Sequence, residues 1–360
     1  MSAPSKHSGY QAAALSFAFG GPIATGVIRS CPEDFLVREQ LAFGATGDGE
    51  HMLLRIRKRG ANTKWVAKQI AARAGVRARE VGYAGLKDRH AVTEQWFTVP
   101  AGATDAAYWL AITDDEYTVV EAARHRRKLR TGSHQANDFD IVVREVAVAP
   151  ERIADRLRII AEQGVPNYFG EQRFGSDDRN LSIAEEWLCR GVSPTDRDSR
   201  SFALSAARSA LFNLVLSTRV AGGTWNQLLP GEVINLDGCG SIFTADQHDE
   251  ALRLRCARLD IHPTGPLVGS GSTRVSGHAS DIEAEVLRDW RAWCEGLTRL
   301  NVMQGRRALR MAVQNLTWEY SGTICRLKFR LTRGAFATTV LREIFSVDRT
   351  TTINAVGNYG

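Results

Sequence analysis

Lysine is scarce in this sequence: of 46 basic residues only Lys6, Lys58, Lys64, Lys68, Lys87, Lys128 and Lys328 are lysines, and the other 39 are arginines. The arginine fork grips phosphate oxygens and stacks on bases, which suits contact with RNA, although a coding bias gives the same composition. The six cysteines are scattered without a C-x-x-C pair, which excludes a zinc knuckle and a secreted disulfide framework and points to a reducing cytoplasm. The eight histidines include neither H-E-x-x-H nor a cysteine-histidine spacing, so no metal site is expected. No run approaches the ~20 apolar residues of a membrane span, and residues 11–19 read as a frayed N-terminus entering a strand rather than a signal peptide. Fixed-period repeats and low-complexity linkers are also lacking, so domain limits are not marked in the composition.

What is present is a chain of 360 residues, long enough for two domains or for one carrying a large insert. Its net charge of +6 fits a polyanionic partner and equally fits many proteins without one. Strands are predicted over 34–41, 51–57, 81–84, 92–99, 139–146 and 323–331, from alternating or β-branched apolar residues. A helix is predicted from the cap Asn62-Thr63 to Gly75, others after Pro150, from Ser199 or Ser201 to about Val220, and over 334–345, with a hairpin turn at Asp237-Gly238. Strands and helices mix without βαβ alternation, which makes the fold class α+β.

Chemistry concentrates in Gly85-Leu-Lys-Asp-Arg-His-Ala91, a connection between two short strands. Asp88 stands there beside Lys87, Arg89 and His90, cations that favour a charged carboxylate. It is a candidate nucleophile or metal ligand, against the plain alternative of a solvated charged turn. Basic runs at Arg55, Arg57, Lys58 and Arg59, and from Arg124 through Arg126 and Arg127 to Arg130, could line a phosphate-binding face or simply be solvated. Tyr168, Phe169, Arg173 and Phe174 interleave rings and arginine as an RNA-stacking surface does, while close packing is the better reading of Phe169 and Phe174.

Taken together the motifs resemble one family. Gly85 to Gln95 is similar to G-x-K-D-[KR]-x-A-x-T-x-Q of the TruD pseudouridine synthases, in which the Asp is the nucleophile. Pro32-Glu-Asp-Phe35, Lys58-Arg-Gly-Ala-Asn-Thr63, the segment 130–145 with its N-x-F, Val165 to Gly175, and Gly334-Ala-Phe-Ala-Thr338 resemble the family's other motifs in the same order.

The resemblance implies an isomerase that converts uridine 13 in the D arm of tRNA to pseudouridine, working without cofactor or metal. It implies Asp88 as nucleophile, with Phe35, Asn137, Phe336 and Phe139 around the target uridine and Arg29 as the basic partner of Asp88 at a position where relatives often carry Lys. Lys87, Arg89, His90, Arg126, Arg127, Tyr168 and Arg173 are expected to meet RNA. The implied fold is a pseudouridine synthase catalytic domain with a mixed, mostly antiparallel sheet, formed by 1–162 with 309–360. A TruD-specific α+β insertion domain would span 163–308. A cytoplasmic monomer with tRNA as partner and no membrane association is expected. The alternative is a non-catalytic tRNA-binding or RNA-folding protein on the same scaffold. Gly265 to Ser272 lacks the Gly-Lys-Ser/Thr ending of a phosphate loop and reads as a flexible loop of the insert.

Overall fold

The structure is a computed structural model that describes residue 10, residues 15–245 and residues 249–347. Of the N-terminal stretch read as entering a strand, 11–14 lie outside that range; 15–22 form no helix or strand, and the first strand begins at Ala24. The strands in chain order are β1 (Ala24–Ile28), β2 (Phe35–Leu41), β3 (His51–Arg59), β4 (Gly82–Tyr83), β5 (Val92–Pro100), β6 (Tyr117–His125), β7 (His134–Arg144), β8 (Val165–Pro166), β9 (Val233–Leu236), β10 (Ile242–Thr244), β11 (Ile261–Leu267), β12 (Gly305–Ala308), β13 (Arg310–Met311), β14 (Gln314–Ser321), β15 (Ile324–Thr332) and β16 (Phe345–Val347).

The chain packs as two compact units. One, here the sheet unit, contains Ile23–Asp155, Val313–Gly334 and the described residues from Phe345 on. Its sheet runs β14-β15-β7-β2-β5-β3-β6, with β1 beside β7 and β16, and β4 beside β5. Only β2–β5 and β1–β16 are parallel, so the sheet is mixed and mostly antiparallel, as expected.

Period-two patterning sorts its side chains. On β7, Asn137, Phe139, Ile141 and Val143 are buried, and on β15 Cys325, Leu327, Phe329 and Leu331 are buried. The intervening positions pair across the strands through Arg326–Asp140 at 2.7 Å and Arg330–Asp138 at 2.6 Å. Such partly exposed ion pairs add little stability; the apolar face supplies more, about 1.5–3 kcal/mol per large side chain buried. The helix Thr63–Ala74 is capped as predicted: Asn62 Oδ1 accepts from the Trp65 amide at 2.7 Å, and Gly75, at φ +65°, closes the other end. Its buried stripe of Val66, Ala67 and Ile70 packs with Met52, Leu54, Phe97 and Trp109.

The other unit, here the helical unit, comprises the described residues before Ile23 with Arg156–Ala312 and Ala335–Ile344. Its long helix, Arg197–Ala221, presents Ala203, Ala206, Ala207, Ala210 and Leu211 to a core that includes Tyr168, Phe174, Leu188 and Trp293. The cap of this helix is Asp196, whose carboxylate accepts from the Ser199 amide at 2.7 Å, not Ser199 or Ser201; the charged run after Pro194 already suits a first turn. A four-stranded sheet, β10-β9-β11-β12, completes the unit with the short pair β8–β13. Gly265 to Leu267, expected to be loop, instead end β11 and pair with Arg307 to Gly305 of β12. The helix predicted over 334–345 is confined to Ala337–Leu341. Phe345 leaves it to pair with Ala24, and its buried ring gains more in the sheet than a solvated helical end would give.

Among the described residues, no helix is long and apolar enough to cross a membrane.

Candidate active site

The site in the sheet unit is assembled by register. Glu39 lies opposite Asn137, Val37 opposite Phe139 and Phe35 opposite Ile141, so Phe35, Glu39, Asn137 and Phe139 share one face of β2 and β7. Phe35 meets Phe139 edge to face at 6.3 Å, and Phe139 stacks on Phe329 at 5.4 Å. The turn before β2 is clamped by Asp34, which accepts two hydrogen bonds from Arg144 at 2.7 and 2.9 Å. Asp34 is buried, which works against its charge, but the guanidinium of Arg144 and the backbone of Cys31 outweigh this and hold its pKa below the ordinary value.

Onto this face comes the loop carrying Asp88. Arg29, just past β1, donates from its terminal nitrogen to Asp88 Oδ2 at 2.6 Å while its guanidinium lies 4.3 Å above the Phe35 ring. The other carboxylate oxygen of Asp88 accepts from the His90 amide at 3.1 Å. Arg29 takes a left-handed backbone, φ +61°, a conformation a non-glycine residue adopts only under constraint, so its side chain is aimed at the expense of local strain.

Three further contacts hold the loop. Lys58, fully buried at the end of β3, donates from Nζ to the Asp88 carbonyl at 3.0 Å and the Ala61 carbonyl at 2.7 Å. Burial lowers its pKa to about 8, with Asp88 opposing the fall. Gln95 donates to the Gly85 carbonyl at 2.5 Å, and the Thr63 hydroxyl accepts from the Lys87 amide at 3.0 Å while donating to Gln95 at 3.0 Å. Lys87 folds inward: its ammonium meets Glu39 at 2.7 Å and Asn137 Oδ1 at 2.8 Å. The Asn137 amide oxygen is thus engaged, which turns its NH2 group into the available donor.

The structure therefore brings Arg29, Phe35, Lys87, Asp88, Asn137 and Phe139 together and departs from the sequence reading at several other positions. Lys87 is in a buried ion pair and its charge is spent on Glu39, so it offers no free cation to a phosphate. Lys58 likewise is buried rather than part of a basic face, and Arg57 is paired with Glu94 at 2.7 Å. Arg89 and His90 are exposed, Arg89 donating to the Gly60 carbonyl at 3.1 Å. Arg126 is exposed and paired with Asp48 at 2.6 Å, and Arg127 is exposed. In the helical unit, Tyr168 is 2% exposed, its hydroxyl donating to the Ser16 carbonyl and its ring under Arg342, so it cannot stack on a base as expected. Arg173 lies 5.3 Å from the Phe169 ring and contacts the Ser205 hydroxyl, and burial lowers its pKa. Phe336 caps the helix Ala337–Leu341 and packs edge to face on Phe169 at 6.3 Å.

Sequence reasoning missed the roles of Glu39, Lys58, Thr63 and Gln95. Lys58, Thr63 and Gln95 sit in motifs that the sequence displayed and Glu39 follows one, but their bonds to one loop cross 10 to 48 positions of chain and carry no local signature.

Comparison with known proteins follows the same lines. Residues 14–193 and 190–344 match the family model described as tRNA pseudouridine synthase D. Curated proteins named tRNA pseudouridine synthase D are similar over nearly their whole length. That of Nitrosococcus oceani is 45% identical, covering 91% of this chain and 93% of its own. That of Methylococcus capsulatus is 44% identical, covering 93% and 95%. A crystal structure assigned to tRNA pseudouridine synthase D from Methanosarcina mazei superposes with a TM-score of 0.72 at 21% identity, over 93% of this chain and 97% of that one, a likeness of fold.

Proposed function

Since the chain belongs to the tRNA pseudouridine synthase D family, we propose that it isomerises uridine 13 in the D arm of tRNA to pseudouridine, with Asp88 as nucleophile. The observation that carries this reading is the Asp88 carboxylate fixed at 2.6 Å by Arg29, whose guanidinium also covers the Phe35 ring, while the adjacent Lys87 holds the Asn137 amide at 2.8 Å.

The chemistry asks little beyond that carboxylate. Isomerisation breaks the bond from N1 to the ribose C1′, turns the base, and joins C5 to C1′; the proton lost from C5 is balanced by one gained at N1. A carboxylate starts this by adding either to the pyrimidine ring or to C1′, the acyl-type oxygen leaving again when the new bond forms. Arg29 serves as the positioning cation: it fixes one oxygen, and the His90 amide fixes the other. The target base must first leave its stack at a cost of a few kcal/mol. Aromatic stacking on an open ring would return about 1–3 kcal/mol per base; Phe35 is buried with the Arg29 guanidinium over its ring, so it walls the site beside the base instead of stacking on it. The NH2 group of Asn137 is suited to a uracil carbonyl, and Lys87 with Glu39 keeps that amide in orientation. Arg89 and Arg127 remain the exposed cations proposed to meet tRNA phosphates, whereas Arg126 is paired with Asp48.

We further assign residues 1–162 with 309–360 to the catalytic domain and 163–308 to the family-specific insertion, acting as a cytoplasmic monomer. In support, 156–312 pack within one compact unit, which also takes in Ala335–Ile344 and the described residues before Ile23.

Replacing Asp88 with Asn is expected to abolish pseudouridine formation in a purified tRNA transcript while tRNA binding persists. Tritium release from 5-tritiated uridine measures the first and filter binding the second. Turnover near the wild-type rate would remove Asp88 as nucleophile, and a wild-type protein that binds tRNA without releasing tritium would leave a non-catalytic RNA binder.

A further inference from the structure

The sheet unit contains a second built site, which begins at the other end of β3 from the nucleophile. His51 opens that strand and Lys58 lies seven residues on, so at ~3.4 Å per residue the His51 end of this site is about 24 Å from Lys58, while its other end, at Thr131 and Ser133, flanks Gly132, whose amide donates to the Ala84 carbonyl at 2.6 Å at the stem of the Asp88 loop. A cavity of about 1180 Å³ lies between the loop after β2, the segment after β6 and the stretch that leads into β4. That volume exceeds the ~300–1,000 Å³ of a pocket for one small molecule, and admits more than one nucleoside.

Two features define what it takes. Charge is the first: Arg79, Arg126, Arg127, Lys128 and Arg130 line the cavity and no Asp or Glu does. Arg126 is neutralised by Asp48, but among the described residues Arg79, Arg127 and Arg130 have no carboxylate within ion-pair distance. The second is an aromatic platform. Phe43 stacks on His125 at 5.4 Å with planes 10° apart, yet is 42% exposed, so the face turned away from His125 is open. His125 is itself buried, and burial together with His51 lowers its pKa, which keeps a neutral ring under Phe43.

The platform is preorganised. The Gly47 amide donates to the Arg124 carbonyl at 3.0 Å, and a Cβ on Gly49 would come within 2.6 Å of the His125 carbonyl and the Arg126 Cα, so the loop is seated directly on the end of β6. Open ring faces beside unpaired guanidinium groups are the pattern of a single-stranded nucleic-acid groove, in which bases stack and phosphates are neutralised. We propose that this groove binds an unpaired, non-reacting nucleotide of the RNA substrate, its base on Phe43 and its phosphates on Arg79, Arg127 and Arg130. The proposal rests on the reading of tRNA as substrate and adds a recognition point for a nucleotide other than the reacting uridine.

The test is anisotropy of a fluorescein-labelled ten-residue oligouridylate with the full chain, and its displacement by an unlabelled tRNA transcript. Phe43→Ala is expected to weaken binding about 5- to 100-fold and Phe43→Trp to retain it. Arg127→Ala should reduce the slope of log affinity against log salt by about one. Equal binding by wild type and Phe43→Ala, or equal loss in the Ala and Trp variants, would overturn the stacking platform. Failure of tRNA to displace the oligomer would overturn the occupant. A wild-type protein that shows Phe43-dependent binding but makes no pseudouridine would instead sink the proposed reaction and leave the groove standing.

Discussion

At the scale of single residues, Arg29 combines two properties that substitutions can separate. Its left-handed backbone costs about 1–2 kcal/mol in any non-glycine residue, whereas its guanidinium serves Asp88. Arg29→Gly is therefore expected to be about 1 kcal/mol more stable than Arg29→Ala in urea unfolding, with both variants losing on the order of 10²-fold in kcat. Arg29→Lys should recover much of that activity, since an ammonium can still reach the carboxylate; a Lys variant as slow as Ala would deny Arg29 a positioning role. Lys58 offers the complementary case. Its ammonium is the donor to two carbonyls, so Lys58→Met leaves both without it and should lower the melting temperature by a few degrees while kcat falls by about 10²-fold through a displaced loop. With its pKa near 8, wild-type kcat should also decline as pH rises through 8, a limb absent from the Met variant.

Elements act here through the segment between β4 and β5, whose stem leans on β7. The His134 ring lies 3.5 Å from where a Gly85 Cβ would stand, and burial, with Lys87 and Arg333, lowers its pKa to about 4. The unfolded chain binds the proton near pH 6.5, before the folded one does, so this group's contribution is complete above pH 6.5 and is lost as pH falls toward 4. A loss on the order of 2 kcal/mol over that window is expected by chemical denaturation, and His134→Phe should flatten it. An unchanged pH profile in the variant would show that another group governs acid stability.

For the whole molecule, the sheet unit is closed by chain segments distant in sequence: β14, β15 and β16 complete a sheet begun at β1. β7 is sandwiched between β2 and β15, so the face that holds Asn137 and Phe139 depends on strands from both ends of the chain. Truncation before β14 is accordingly expected to leave β7 an exposed edge and to cost folding outright, which circular dichroism and solubility of the shortened chain would report.

The sequence by itself determined the elements whose signals are local: the helix Thr63–Ala74 between Asn62 and Gly75, the alternating strands β2 and β15, the part of β7 from Phe139 on though not its start at His134, and the loop of Asp88, along with the motifs of the family. These follow from caps and from two-residue alternation, which neighbouring residues impose on one another. Only tertiary structure decided that Lys58 and Lys87 are buried anchors rather than phosphate contacts, that Tyr168 is core, that Gly265 belongs to a strand, and that Phe345 abandons a helix for β1. The reason is the same in each case. A side chain's partner across the sheet is fixed by register between segments far apart in the chain, and a cation or ring has no preference for solvent or core until that partner is in place.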